Sequence, residues 1–218
     1  MISLKTLLFW FLILALGGTS PIFAGNLTVS VKDSKTEPID RAVVTLLPLF
    51  GEPMPMVQTE NAIMKQQNTM FQPFILPVRT GSSVSFPNLD EFRHHVYSFS
   101  KAKRLELRLY GKDESNEILF DQAGVVALGC NIHDNMLAYI YVTDDPYYMV
   151  ADSEGVVAFD GLPDGLYKVS VWHPDQKSKR EVFSREIEVA DNSNSLNVVL
   201  EMRSVRRRQK GADGKEYD

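Results

Sequence analysis

The chain has 218 residues, of which 44% are apolar and 10% aromatic. That suffices for one large globular domain or two small ones and is not the composition of a disordered chain. The formal net charge of −5 at pH 7 favours neither nucleic acid nor an anionic membrane as a partner.

The first 24 residues stand apart. Lys5 precedes the apolar run "LLFWFLILAL" (7–16), and "GGTSPIFA" ends on a small residue, Ala24. This reads as a cleaved secretory signal peptide. The apolar run is short for a membrane span, and no later stretch is long enough. The expected product is exported and periplasmic, with no membrane span after cleavage. Removal of Lys5 takes the formal charge of 25–218 from −5 to −6. The single cysteine, Cys130, can close no internal disulfide, so it is buried, reactive or a metal ligand.

Strand signals then follow one another. In 27–49, "LTVSV" and "AVVTLL" flank the turn sequence "DSKTEP" and read as strand, turn, strand. Residues 50–69, with Pro53, Pro55 and three methionines, read as irregular. From 70 onward "MFQPFILPV", a turn at Gly81, Val84 and Phe86, and "HHVYSFS" read as strands. In "KRLELRLY", Leu105, Leu107 and Leu109 alternate with Arg104, Glu106 and Arg108, predicting one apolar and one charged face. "ILFDQAGVVALGC" turns at Ala123–Gly124 and ends at Cys130, and "MLAYIYVTD" (136–144) is the next strand. Around "GLPDG" the pattern predicts two hairpin-like pairs, and 184–202 two more strands. No window keeps helical periodicity, so the class is all-β. The tail 203–218 is charged and apolar-poor, with the composition of a disordered terminus.

The chemistry gathers in "LGCNIHDNM" (128–136). Cys130, His133 and Met136 stand three residues apart, and on a tight loop between strands they direct S, N and S donors to one point. A thiolate, an imidazole and a weak thioether suit copper. A second imidazole is available upstream in "FRHHVYSFS". Adjacent strand residues face opposite sides, so one of His94 and His95 points inward, but alternation does not say which.

"FILPVRTGSSVSFPNLDEFRHHVYSF…GVVALGCNIHDNMLAYIYV" resembles a cupredoxin of the plastocyanin and amicyanin type. The shared features are a V-x-F-x-N-x-D strand leading to His and a strand leading to Cys-x2-His-x2-Met at the amicyanin spacing. "HxVYSFS", "LGCNIHD" and "WHP" are closer still to exported cupredoxin-like proteins labelled methylamine utilization protein. The resemblance covers about 70–173. It implies a Greek-key copper sandwich over 51–144 and one type 1 copper ion held by His94, Cys130, His133 and Met136. It also implies a His133 with one edge near solvent as electron port and a redox protein partner, such as a c-type cytochrome or a periplasmic dehydrogenase.

The flanking segments resemble the transthyretin-like sandwich of carboxypeptidase regulatory regions. Pro38, Ala42, Val44, Asp152, Gly155, Phe159, Leu162, Pro163, Gly165 and Tyr167 fit that pattern. It implies a second β-sandwich from 25–50 plus 145–202, split by the copper segment; the alternative is two side-by-side sandwiches with a loose N-terminal hairpin. Trp172 reads as core and His173 as structural or partner-facing.

An enzyme is not expected. Four histidines are too few for a multicopper oxidase, and the sequence has no nucleophile elbow, metalloprotease helix or phosphate-binding loop. The leading expectation is a periplasmic one-electron carrier. The alternative is a copper-binding or delivery protein using Met54, Met56, Met64 and Met70, whose thioethers suit Cu(I).

Overall fold

The computed structural model describes residues 24–51, 62–178, 182–190 and 193–204. Nearly all of the signal segment, Met54, Met56 and most of the charged tail lie outside them. Every element among the described residues is a strand. Two open the chain: β1 (Ala24–Asp33) and β2 (Val43–Pro48). Ten follow in the middle: β3 (Ala62–Ile63), β4 (Lys65–Gln67), β5 (Met70–Gln72), β6 (Ile75–Arg79), β7 (Ser82–Pro87), β8 (His94–Phe99), β9 (Arg104–Tyr110), β10 (Ser115–Phe120), β11 (Gly124–Cys130) and β12 (His133–Thr143). Five close it: β13 (Tyr147–Val150), β14 (Val156–Pro163), β15 (Gly165–Trp172), β16 (Phe183–Val189) and β17 (Ser193–Leu200).

The terminal strands build one pair of sheets, ordered β14-β1-β17 and β13-β2-β15-β16. Their inward residues, Val29, Val31, Val44, Leu46, Val169 and Val171 among them, share a core around the fully buried Tyr167. β1 runs parallel to β17, a pairing of the two ends of the chain. The transthyretin-like residues find local roles here. Asp152 Oδ1 accepts the amides of Glu154 (2.9 Å) and Val156 (2.8 Å). Gly155 has φ +71°, and a Cβ there would meet the Val31 carbonyl at 2.4 Å, so only glycine fits the turn. The segment around "GLPDG" differs from the hairpin expectation. β14 and β15 do not pair but lie in opposite sheets. The turn is a corner, and the Tyr167 hydroxyl donates back across it to the Pro163 carbonyl at 2.7 Å.

The middle strands build the second pair, ordered β6-β12-β11-β8-β9 and β10-β7-β3, with the hairpin β4-β5 beside them. Here β7 and β8 alternate as the pleat requires, with Val84, Phe86, His94 and Val96 inward. The described part of 50–69 is more ordered than its composition suggests, because β3 and β4 fall within it. Met64 there and Met70 just after it are buried, acting as apolar filler. The charged-and-apolar alternation of β9 also breaks. His94 pairs with Tyr110 but Val96 with Leu107, so one residue of β8, His95, faces two of β9, Arg108 and Leu109. This β-bulge turns Leu109 out (49% exposed) and Tyr110 in.

The two bodies meet across a third apolar cluster. Val43 and Trp172 on one side pack against Phe74, Ile75 and Tyr139 on the other. Trp172 lies 5.8 Å from the Tyr139 ring and 5.3 Å from that of Tyr141.

Candidate metal centre

β11 and β12 form a tight hairpin whose two-residue tip is Asn131 and Ile132. Cys130 ends the first strand and His133 begins the second, where Cys130 pairs with it. The expected strand at 136 thus starts three residues earlier. Before regular pairing resumes at Gly129 and Leu137, Asp134 and Asn135 bulge outward and Met136 turns in. Met136 is buried in the same cluster as Cys130. The hairpin tip is tied to β8 by the Asn131 amide, which donates to the His95 carbonyl at 3.1 Å.

β8 delivers the third donor. His94 is fully buried, and its Nδ1 lies 3.8 Å from Cys130 Sγ. His133 Nδ1 lies 3.6 Å from the same sulfur. The three donor atoms all fall within 4.8 Å of one another. His95 faces the other way, with Nε2 3.2 Å from Glu106 Oε1. Alternation left the choice between the two histidines open; burial places His94 beside the thiol. Among the described residues no other group of this kind gathers three such donors.

The spacing fits a bound ion. Metal–sulfur bonds of about 2.3 Å and metal–nitrogen bonds of about 2.0 Å separate the donors by about 3.5–3.8 Å at tetrahedral to trigonal angles. The two sulfur–nitrogen distances match this. Two imidazoles and a thiolate with a nearby buried thioether form the donor set suited to copper.

The residues around these donors were not given roles by the sequence reading. Asp90 Oδ2 stands 2.8 Å from His94 Nε2. It thereby holds the proton on that nitrogen and leaves Nδ1 free as a ligand, the carboxylate–histidine arrangement of metal sites. Asp90 is itself held by the β4–β5 turn. The amides of Asn68 (2.7 Å) and Thr69 (3.0 Å) donate to its two oxygens. Both turn residues have positive φ, 57° and 60°, as a two-residue hairpin demands. Asn88 continues the network. Its side-chain amide donates to the Phe92 carbonyl at 2.8 Å and the Tyr110 carbonyl at 3.1 Å, while its oxygen accepts the Asp90 amide at 2.9 Å. The signal was present in V-x-F-x-N-x-D, whose last two fixed positions are Asn88 and Asp90.

Burial dominates the electrostatics of His94 and holds its pKa below the ordinary value; the hydrogen bond and charge of Asp90 oppose this, and His133 adds to it. A neutral imidazole is the ligand form. Phe92 covers both imidazoles, its ring 5.2 Å from His94 and 5.5 Å from His133. His133 remains half-buried, and Phe92 and Ile132 beside it are exposed. His173 sits in the other body, buried, with Nδ1 accepting the Asp175 amide at 3.1 Å.

No protein-family model matches the chain, and no curated protein does. Solved structures similar to part of it include three copper proteins. A Cu-containing nitrite reductase from Thermus scotoductus SA-01 is 22% identical over 46% of this chain, at a TM-score of 0.38. This chain spans only 26% of that enzyme. A reduced Cu(I) form of an amicyanin variant is 17% identical, covering 45% of this chain and 99% of its own, at a TM-score of 0.36. A purple cupredoxin from Nitrosopumilus maritimus is 20% identical, covering 37% and 96%, at a TM-score of 0.33. At such identities and scores the copper assignment rests on the donor geometry.

Proposed function

We propose that this protein is an exported mononuclear type 1 copper protein of cupredoxin kind, and that it carries one electron at a time between periplasmic redox proteins. The observation that carries the reading is the convergence of His94 Nδ1, Cys130 Sγ and His133 Nδ1 at separations a single ion satisfies. Bound copper supplies reversible one-electron cycling between its two oxidation states. The chain does the rest. Cys130 binds as thiolate, since metal coordination removes its proton. Asp90 fixes the His94 tautomer, and Met136 would supply a weak thioether donor that tunes potential. The β11–β12 hairpin, tied to β8, positions the donors.

Export is supported by Lys5, the apolar run 7–16 and Ala24. A carrier rather than an enzyme is supported by the enclosure of the donors. His94, Cys130 and Met136 are buried, and His133 is the one that is partly exposed. Copper delivery through a methionine track draws no support from Met64 and Met70, which are core residues. The partner class we favour is a c-type cytochrome or a periplasmic dehydrogenase; the role does not depend on a methylamine source of electrons.

The test is a visible and EPR spectrum of residues 25–218 loaded with Cu(II). Intense thiolate-to-copper absorption with a narrow hyperfine splitting, abolished by Cys130→Ser, is the expected result. A weak tetragonal signal that survives Cys130→Ser would sink the assignment.

A further inference from the structure

The outer face of the five-stranded sheet is divided. At its β6–β12 end the other body covers it, through Trp172 against Tyr139 and Tyr141. At its β8–β9 end no contact with the other body is made among the described residues. There His95, Tyr97 and Phe99 of β8 stand beside Arg104 and Glu106 of β9, with Phe99↔Arg104 and Tyr97↔Glu106 as cross-strand pairs. Phe99 is 80% exposed, an unusual position for a phenylalanine next to a sheet interface. His95, Tyr97, Phe99, Leu105, Glu106 and Asn131 line an open groove of about 360 Å³.

The β8–β9 segment is locally basic, with acidic Asp90, Asp113 and Glu114 just outside it. Residues 91–112 carry six basic side chains, Arg93, Lys101, Lys103, Arg104, Arg108 and Lys112, against Glu91 and Glu106. That is a formal +4 within a chain of −5, which leaves −9 for the remainder. Lys112 is paired with Glu91, and Lys103 with Asp121. Arg93, Lys101 and Arg104 have no ion pair among the described residues. Arg108 is 86% exposed and touches Glu106 only at 3.7 Å.

The face also reaches the metal centre. Tyr97 pairs with Gly129, and its ring lies so close that a Cβ on Gly129 would stand 2.8 Å from the Tyr97 Cζ. The residue after Gly129 is Cys130. A molecule seated on Tyr97 and Phe99 is therefore separated from Cys130 by the Tyr97 ring and the backbone of Gly129 and Cys130.

We propose that the β8–β9 face is a docking surface for an acidic redox protein, with Phe99 and Tyr97 as its apolar centre and Arg104 and Arg108 as its charged rim. Complementary charge at a rim steers association and fixes orientation, and an aromatic centre supplies the desolvated contact. The surface is continuous with the half of the same sheet that the other body covers. The redox nature of the partner rests on the copper reading; the docking face does not.

The experiment is a titration of the full metal-free chain, labelled with ¹⁵N, with flavodoxin as an acidic redox probe and cytochrome c as a basic control. At about 10 mM salt, where charges are weakly screened, flavodoxin is expected to shift the amides of Tyr97, Phe99, Arg104 and Arg108, and cytochrome c to leave them in place. The double variant Arg104→Glu, Arg108→Glu is expected to weaken binding by roughly tenfold or more. Both arginines are at the surface, so its fold is expected to hold; Phe99→Ser, which keeps the charge, is expected to weaken binding without altering its salt dependence. Absence of saturable binding, shifts centred on Phe92 and Ile132, or equal affinity after charge reversal would overturn the proposal. Because no copper is present, these outcomes are read independently of the copper spectrum.

Discussion

Asp90 holds His94 through an Oδ2–Nε2 contact of 2.8 Å, and the same carboxylate receives two backbone amides from the β4–β5 turn. One side chain thus joins a candidate ligand to a hairpin some twenty residues upstream. Asp90→Asn removes one of the two acceptor oxygens and offers an NH2 in its place. That group either opposes a turn amide or pushes the His94 proton onto Nδ1, the nitrogen that faces Cys130. Loss of such a partner typically weakens metal binding by about 10- to 100-fold. The expected result is weaker Cu(II) retention in a chelator competition, with a changed His94 tautomer in the ¹⁵N spectrum of the metal-free protein. Unaltered affinity and tautomer would show that the carboxylate serves the turn alone.

Met136 tests the axial position. It is buried beside Cys130, and leucine has nearly its volume, so Met136→Leu should cost less than about 1.5 kcal/mol of stability. If its sulfur is the weak fourth donor, the variant keeps copper and the thiolate absorption but has a higher reduction potential, read by voltammetry. An unmoved potential would assign Met136 to the core.

The all-β class was legible from period-two alternation, and the gathering of Cys130 and His133 from the local Cys-x2-His-x2-Met run. Alternation alone did not choose between His94 and His95, since it separates two faces without saying which is inside; the resemblance implied His94. The structure buries His94 beside Phe92 and Asp90 and turns His95 toward Glu106. The β9 leucine pattern misled for a related reason. A bulge adds a residue between Leu107 and Tyr110 and inverts the face, an event that alternation cannot register. The sheet change at "GLPDG" is similar: turn residues specify a reversal but not whether the next strand pairs with the previous one or crosses to the opposite sheet.

Alkaline pH offers a probe of the junction between the two bodies. Burial beside Trp172 pushes the Tyr141 phenol up to about 12, with a smaller contribution from Asp145. Burial also raises Tyr110 and Tyr167. A group whose folded pKa is raised contributes stability that is complete below its unfolded pKa, near 10, and is lost as pH rises toward the folded value, because the unfolded chain releases the proton first. Urea midpoints are therefore expected to be flat in this respect below pH 10 and to fall from pH 10 to about 12, less steeply in Tyr141→Phe. Equal slopes in the two proteins would mean that Tyr141 titrates as freely when folded as when unfolded.

Tyr167→Phe tests how far the two bodies fold as one. The ring stays in its core, where it packs on Phe50 at 5.2 Å and Tyr147 at 6.2 Å; only the hydroxyl and its bond to Pro163 are lost. Pro163 lies at the surface, so water can replace the donor, and the cost should be near the net worth of one hydrogen bond, about 1 kcal/mol. The copper spectrum should not change, because the corner is in the body that holds no donor. The shape of the unfolding curve carries the further information. The junction buries Val43, Phe74, Ile75, Tyr139 and Trp172, and removing so much apolar surface from water couples the two cores. One common transition, lowered as a whole by Tyr167→Phe, is the expected result in calorimetry. Two transitions, with only one of them displaced, would mean that the bodies are thermodynamically separate and that the junction orients the copper sandwich without stabilising it.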